Sequence, residues 1–123
     1  PGSSFELCWS KSKHKRHLIS ITWRGYFGHN VKVDGDRKVH PTQKPVKLAE
    51  FFFEKWGKEA NLIWDGYLGS GSTLIACEKT NRKCYGAEID PHYCDVIIER
   101  WEKYTGKKAT REDGVLWQDL AKK

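Results

Sequence analysis

The chain has 123 residues and a formal net charge of +6, and 38% of its residues are hydrophobic. This length suits one domain, on a prior of about 100–200 residues per domain, and six Trp exclude a chain that is disordered throughout. No apolar stretch approaches the roughly 18 residues of a membrane span, and the N-terminus lacks a signal-peptide pattern. We expect a cytoplasmic protein because we interpret its cysteines as reduced thiols.

The first elements that the sequence pattern predicts are two strands joined by a basic loop. Phe5–Trp9 alternates with large apolar residues on one face, and Leu18–Trp23 is β-branched and apolar. Lys11–His17 between them holds no apolar residue, which indicates an exposed loop. We therefore expect an antiparallel strand pair, followed by a glycine-containing loop over residues 24–40.

A helix is expected over Pro45–Trp56. Proline suits the first helical turn because its missing N–H has no partner there. Gly57 stands where a left-handed C-terminal cap is needed. Apolar residues at helical spacing predict one buried face, formed by Ala49, Phe52, Phe53 and Trp56.

Strands and helices then alternate, which predicts a parallel sheet. A strand ends at Asp65, a glycine-rich turn leads into a helix over Ser72–Thr80, and a second strand covers Arg82–Glu88. Asp90 is a suitable N-cap for a further helix over Pro91–Tyr104. This βαβ crossover predicts the doubly wound α/β class.

The cysteines lack the spacing of a metal or redox site, because no pair has the two-residue gap of a zinc knuckle. They are Cys8, Cys77, Cys84 and Cys94. We interpret them as reduced, buried thiols. His14 and His17 suggest a metal site with Cys8, but a tetrahedral site needs a fourth ligand that the sequence does not name, so we expect no structural metal.

A candidate ligand site surrounds the glycine-rich turn. Asp65 precedes the glycines, and Glu88 closes the second strand about 20 residues further on, where it can accept hydrogen bonds from a ribose. The turn reads G-x-x-G-x-G, and Ser72 stands where a phosphate loop carries Lys. The pattern therefore favours a nucleoside that carries an amine over ATP or NAD. The alternative is a turn that only closes the crossover.

Three segments resemble the DNA amino-methyltransferases that use S-adenosylmethionine. The cofactor loop of that family, D-P-F-x-G-S-G-T/S-T, is similar to Asp65-Gly66-Tyr67-Leu68-Gly69-Ser70-Gly71-Ser72-Thr73. The H-P-T-Q-K-P element of the permuted β subgroup is similar to His40-Pro41-Thr42-Gln43-Lys44-Pro45, and the segment after the second strand to Glu88-Ile89-Asp90-Pro91-His92-Tyr93. The resemblance implies a partial class I, Rossmann-like methyltransferase fold and methyl transfer to N6 of adenine or N4 of cytosine in DNA.

The resemblance also implies roles for the matching residues. Asp65 would lie near the methionine amine of S-adenosylmethionine, and Glu88 would bind its ribose. Ser72 and Thr73 would cap the next helix, while residues 42–44 would contact the methionine end or hold the loop. The implied cofactor-binding set is Asp65, Gly66, Tyr67, Gly69, Ser70, Gly71, Ser72, Thr73, Glu88, Thr42, Gln43 and Lys44.

The family's catalytic element, D/N/S-P-P-Y/F/W, does not occur in residues 1–39, where the β order would have it. In the family this element holds the target amine and stacks on the flipped base. Asp90-Pro91-His92-Tyr93 imitates it, but helix capping explains Asp-Pro at that position. We therefore expect no catalytic residue here, a catalytic half upstream of Pro1, and a chain that is inactive alone.

Positive charge predicts the partner. Residues 1–47 hold ten Lys or Arg against three acids, whereas residues 48–123 hold twelve against thirteen. A basic segment attracts polyanions such as nucleic acid, although it could equally serve only to keep the chain in solution. With the resemblance, double-stranded DNA is the expected partner, through Lys11, Lys13, Lys15, Arg16 and Arg24.

We expect three segments: a basic, DNA-facing strand pair over residues 1–39, an S-adenosylmethionine-binding βαβ unit over 40–108 and a polar tail over 109–123. An apolar patch in the tail, from Val115 to Leu120, predicts a last helical turn. A missing upstream half would leave a strand edge unpaired, so we expect a homo-oligomer. The alternatives are a non-catalytic DNA-binding module with a degenerate pocket and an oligomerisation unit that needs no cofactor.

Overall fold

The computed structural model describes residues 7–21 and 43–120. Helices and strands alternate along the second range, which closes with a short helix. The elements are α1 Val46–Trp56, β1 Leu62–Asp65, α2 Ser72–Lys79, β2 Lys83–Gly86, α3 Pro91–Thr105 and α4 Trp117–Leu120. In these two ranges, no helix has the length and apolar character needed to cross a membrane.

The strands β1 and β2 pair in parallel, with Leu62 opposite Lys83 and Asp65 opposite Gly86. The chain crosses between them through α2, so the predicted βαβ unit is confirmed. Because the carboxyl ends of parallel strands share one edge, the turn after β1 and the segment after β2 lie side by side. A Cβ atom on Gly86 would lie 2.7 Å from Cδ2 of Leu68, so glycine lets the turn pack onto the strand end.

The core lies between one face of the sheet and the helices α1 and α2. Its buried residues are Val46, Phe53, Ile75, Ala76 and Cys77, and Ile63 and Cys84 of the strands pack against them. Burial raises the pKa of the Cys77 thiol to about 12. This thiol therefore stays protonated near neutral pH and packs as a small apolar side chain.

All four cysteines are free thiols. Cys77 is buried, and Cys84 and Cys94 are half-buried, but Cys8 is exposed. The expectation of burial is therefore wrong for Cys8, because its segment lies on the surface, where neighbouring Leu7 and Trp9 are exposed as well.

The second face of the sheet is exposed. Leu62, Trp64 and Tyr85 point away from the core, and they are 58%, 70% and 59% exposed. Parallel sheets normally have both faces covered. In the part of the chain that the structure describes, only the face that carries Ile63 and Cys84 is covered. This exposed apolar face, formed by Leu62, Trp64 and Tyr85, is a candidate contact surface.

The ends of α3 are capped by Asp90 and Gly106, whereas the cap predicted at the end of α1 differs. The Asp90 side chain accepts a hydrogen bond from the N–H of His92 at 2.9 Å, and Gly106 ends α3 with φ +72°. Gly57, however, has φ −116°, so the expected left-handed cap is wrong there. Position 57 favours glycine because there is little room for a side chain: a Cβ atom would lie 3.3 Å from the Cα of Phe53.

The predicted N-terminal strand pair is not found where the structure describes it. The described parts of the two strands, residues 7–9 and 18–21, are irregular, and their other residues lie outside the described ranges. Two strands alone need a surface on which to bury their apolar face. The segment instead contacts α1 through the rings of His14 and His17, whose centroids lie 5.0 and 5.7 Å from that of Trp56.

The C-terminal segment folds back onto α3. A bridge between Thr110 and Leu116 precedes α4, which is the predicted helical turn. The buried carboxylate of Glu102 accepts hydrogen bonds from the N–H of Ala109 at 2.7 Å and from Nε2 of Gln118 at 2.9 Å. The described part of this tail is therefore attached to the α/β unit.

Candidate functional site

The turn between β1 and α2 needs glycine at two positions. Gly69 and Gly71 have φ values of +55° and +79°, which other residues rarely adopt. A Cβ atom on Gly71 would also lie 3.2 Å from Cγ2 of Ile97 on α3. Gly66 lies outside the left-handed region, and a Cβ atom there would meet only the indole nitrogen of Trp64, at 3.7 Å. The turn, residues 66–71, is called the glycine loop below.

Both predicted carboxylates bind the glycine loop. Oδ1 of Asp65 accepts a hydrogen bond from the N–H of Tyr67 at 3.0 Å. Oε2 of Glu88 accepts one from the N–H of Gly69 at 2.7 Å, and its Oε1 accepts one from the N–H of Asp90 at 3.0 Å. Charge-assisted hydrogen bonds of this kind are stronger than neutral ones. Asp65 and Glu88 therefore stabilise the shape of the glycine loop in addition to lying beside it.

The described end of the H-P-T-Q-K-P segment, residues 43–45, contacts the start of α2 through Lys44. Oγ of Ser72 donates a hydrogen bond to the carbonyl oxygen of Lys44 at 2.7 Å, and it lies 3.4 Å from Oγ of Ser70. Gln43 is buried beside them, whereas Thr42 lies outside the described residues. Two motifs far apart in sequence thus meet at one site.

The expected capping of α2 by hydroxyl groups is wrong. The N-cap position is Gly71, and no side chain caps the helix there. The hydroxyl group of Ser72 instead donates its hydrogen bond to the carbonyl oxygen of Lys44. Thr73 follows in the first turn of α2 and is half-buried.

Sequence reasoning missed Arg100 of α3. This buried side chain donates from Nη1 to the carbonyl oxygen of Ser70 at 2.9 Å, and to the hydroxyl oxygens of Ser70 and Ser72 at 3.3 Å each. A signal was present, because Arg100 follows the apolar Ile97 at helical i+3 spacing and therefore lies on the buried side of α3. The guanidinium therefore connects α3 to the glycine loop and to the first residue of α2.

Two apolar side chains are fully exposed at the same edge of the sheet. Tyr67 of the glycine loop is 94% exposed, and Ile89, directly after Glu88, is 98% exposed. Sequence reasoning named Tyr67 but gave Ile89 no role. Exposed apolar groups beside polar acceptors are typical of a site for a ligand with both characters.

The predicted DNA-contacting residues lie apart from the glycine loop along the chain. Lys11, Lys13, Lys15 and Arg16 are exposed in the irregular segment that contacts Trp56 of α1. Arg24 lies outside the described residues. Over residues 7–21 and 43–120, no three His, Cys, Asp or Glu side chains form a group that could hold a metal ion.

A βαβ unit with a glycine loop and acids at both strand ends is typical of α/β proteins that bind nucleotides or nucleosides. A DNA methylase family matches residues 5–99, and the chain belongs to this family. It is 37% identical over 98 residues to the orphan methyltransferase M.BamHII of Bacillus amyloliquefaciens, a match that covers 74% of this chain and 37% of that protein.

Further relatives are type II methyltransferases. The chain is 34% identical over 74 residues to M.HpaI of Haemophilus parainfluenzae, which covers 60% of this chain and 24% of that protein. It is 31% identical over 65 residues to M.HindIII of Haemophilus influenzae, which covers 53% of this chain and 21% of that protein. The chain thus spans well under half the length of these relatives. No solved structure matches it significantly.

The substitutions Gly71→Ala in the glycine loop and Gly106→Ala at the end of α3 separate the cost of a left-handed conformation from the cost of a close neighbour. Both glycines are left-handed, and an alanine there costs about 1–2 kcal/mol. Only Gly71 has a close neighbour, Ile97. We expect Gly71→Ala to lower the free energy of unfolding by about 1 kcal/mol more than Gly106→Ala, a mild overpacking cost. Urea unfolding followed by Trp fluorescence measures both, and equal losses would contradict a role for Ile97.

Proposed function

We propose that the chain is the cofactor-binding portion of an S-adenosylmethionine-dependent DNA amino-methyltransferase with a class I methyltransferase fold. Its complete reaction would methylate adenine N6 or cytosine N4 together with a catalytic portion outside these 123 residues. The observation that carries the proposal is the pair of carboxylates, Asp65 and Glu88. Asp65 ends β1, Glu88 lies two residues after the end of the parallel strand β2, and both bind the glycine loop. Family membership supports the reaction class.

The residues around the glycine loop fit S-adenosylmethionine in their chemistry. A carboxylate has about four lone-pair positions, so Asp65 and Glu88 can each bind the loop and still accept a bond from a ligand. A carboxylate suits both the ammonium group of the methionine part and the hydroxyls of the ribose. The exposed side chains of Tyr67 and Ile89 offer apolar surface for a purine.

When bound, S-adenosylmethionine supplies a methyl group on a positively charged sulfur. In the proposed division of roles, Asp65 orients the methionine amine and Glu88 orients the ribose. The glycines let the backbone lie close to the ligand, because no side chain intervenes at Gly69 or Gly71. This chain therefore binds and orients the cofactor, and the group that holds the target amine comes from elsewhere.

The substitutions Asp65→Ala and Glu88→Ala test the cofactor site. Each removes a charged acceptor, and loss of a hydrogen bond to a charged group corresponds to a loss in affinity of roughly tenfold or more. In calorimetric titration with S-adenosylhomocysteine, we expect measurable heat from the parent chain and none from either variant. Glu99→Gln, an exposed carboxylate of α3, is the matched control and should bind like the parent. Parent-like binding by both site variants would contradict the assignment.

DNA binding through the basic segment is the second part of the proposal. Four cationic side chains lie exposed within seven residues, and contact with Trp56 attaches this segment to α1. Cations that neutralise phosphates release counterions, so such binding weakens as salt rises. Contacts to phosphates position a protein on DNA without reading the base sequence, and this is the role that we assign to these four side chains.

Reversing these four charges to Glu should abolish most DNA binding. Each phosphate contact contributes about −0.9 to the slope of log K against log salt, so their loss would remove up to about −3.6 of it. Fluorescence anisotropy with a labelled duplex at several salt concentrations measures the slope. The control reverses four exposed lysines elsewhere, Lys58, Lys83, Lys103 and Lys107. Similar slopes in both variants would show attraction by net charge alone.

We expect no methyl transfer by this chain alone. Asp90 caps α3 by accepting a hydrogen bond from the N–H of His92, and this capping role supports the inference that Asp90-Pro91 does not hold a base. The assay is incorporation of labelled methyl groups into unmethylated genomic DNA, with the chain alone and with an added catalytic portion from a longer relative. Incorporation by the chain alone that Asp90→Asn abolishes would overturn this expectation and return the catalytic role to that segment.

Self-association is the expected consequence of the exposed apolar face. Covering Leu62, Trp64 and Tyr85 removes apolar area from water, which favours contact with a second copy. We expect a concentration-dependent dimer or larger oligomer in light scattering, and a monomer for Trp64→Glu. Leu18→Glu replaces an apolar residue of the N-terminal segment that is 95% exposed, and it should leave association unchanged. A parent chain that stays monomeric at high concentration would contradict this expectation.

The same exposed face favours a second candidate function, an oligomerisation unit that needs no cofactor. Titration of Trp64→Glu with S-adenosylhomocysteine separates the two functions, because that substitution lies on the sheet face and leaves both carboxylates in place. Binding by the monomeric variant supports the cofactor-binding function. Association of the parent without any binding supports the oligomerisation unit.

A further inference from the structure

The buried arginine of α3 has no part in the function proposed so far. Arg100 is only 7% exposed, and the three acceptors given above for its Nη1 all belong to Ser70 and Ser72. A guanidinium is expensive to bury unless its hydrogens find acceptors. An apolar residue would fill this place at lower cost, so the structure indicates a task that requires hydrogen-bond donors.

That task is the orientation of one peptide group. The carbonyl oxygen of Ser70 faces Arg100, and the N–H of Gly71 in the same peptide donates to the carbonyl oxygen of Leu68 at 2.8 Å. In a trans peptide the C=O and N–H groups point in opposite directions. The peptide is therefore held from both sides. Because Gly69 and Gly71 flank Ser70, little in the local chain would otherwise resist its rotation.

The same nitrogen atom also connects the two sequence motifs. Nη1 of Arg100 donates to the hydroxyl oxygen of Ser72, and that hydroxyl donates to the carbonyl oxygen of Lys44. A chain of hydrogen bonds thus runs from α3, through the first residue of α2, to the segment before α1. Loss of the guanidinium would loosen the glycine loop and the segment beside it together.

We propose that Arg100 is a positioning residue, which holds the glycine loop in its ligand-binding shape before the ligand arrives. This inference rests on the proposed function, because the shape matters through S-adenosylmethionine. Arg100 acts through Ser70 and Ser72 and does not touch the ligand. Its removal should lower affinity more than the loss of stability explains, because an unbound loop would have to be ordered at the expense of binding free energy.

The test compares Arg100→Met and Arg100→Lys with the parent chain. Methionine fills similar volume without a donor, and lysine keeps the charge but not the planar fork. Titration with S-adenosylhomocysteine should show binding about tenfold weaker or worse for Arg100→Met, with partial recovery in Arg100→Lys. Amide hydrogen exchange in the ligand-free chain should be faster at Gly71, while amides of β1 and β2 change only as far as global stability changes.

Arg82 provides a matched control. Its guanidinium also donates to three acceptors, the carbonyl oxygens of Ala60, Thr80 and Gly57, but it lies at the opposite end of β2 from the glycine loop. Arg82→Met should lower the free energy of unfolding and leave the affinity of the folded chain for S-adenosylhomocysteine unchanged. An equal loss of affinity in Arg82→Met and Arg100→Met would overturn the positioning role.

The outcomes separate this inference from the proposed function. Parent-like affinity and parent-like exchange at Gly71 in Arg100→Met would overturn the inference while the cofactor site stands. A parent chain that fails to bind S-adenosylhomocysteine would contradict the proposed function, and exchange at Gly71 would still decide whether Arg100 holds the loop. If Arg100→Met does not fold, the same two measurements on Arg100→Lys decide.

Discussion

The hydrogen bonds that hold the glycine loop are the constraint on which the rest of the site depends. Gly69 and Gly71 give this loop a sharp turn, but glycine also loses the most conformational freedom on folding. Hydrogen bonds from side chains in several parts of the chain offset this entropic cost. Asp65 ends β1, Glu88 follows β2, and Arg100 reaches up from α3, and each binds a different part of the loop. The βαβ unit brings these three side chains together.

Charge is distributed across the loop in a consistent way. The carboxylates of Asp65 and Glu88 accept hydrogen bonds from backbone N–H groups, and the guanidinium of Arg100 donates to a backbone carbonyl. Each charged group thus binds the end of a backbone dipole that carries the opposite sign, which strengthens the bonds. Asp65 and Glu88 are half-buried at the strand ends, whereas the arginine is buried within the protein.

The sheet has an exposed apolar face, and the relatives of this chain are longer proteins. One face is covered by α1 and α2, while Leu62, Trp64 and Tyr85 lie exposed on the other. The chain covers 37% of M.BamHII and 24% of M.HpaI, so most of each relative lies outside the shared region. An apolar face of this kind is unfavourable in water, and contact with further polypeptide would remove it from solvent.

Local signals determined the regular elements of this protein and much of its site. Helical spacing predicted α1, proline and an aspartate cap predicted the start of α3, and the acids and glycines around the turn predicted which residues meet at the strand ends. These predictions hold because each depends on a few neighbouring residues. They failed at Gly57, where a Cβ atom would lie 3.3 Å from the Cα of Phe53, and at residues 7–9 and 18–21, which were expected in strands. The exposed loop predicted over Lys11–His17 is confirmed.

Only the tertiary structure decided how the site is held together. Ser72 was expected to cap α2, but its hydroxyl bonds to Lys44, 28 residues away in sequence. Arg100 contacts Ser70 across 30 residues, and no periodicity states which buried partner an arginine will find. Glu88 has both a local role and a bond to the glycine loop. Composition and spacing select residue types and elements, whereas partners distant in sequence are set only when the helices and strands pack.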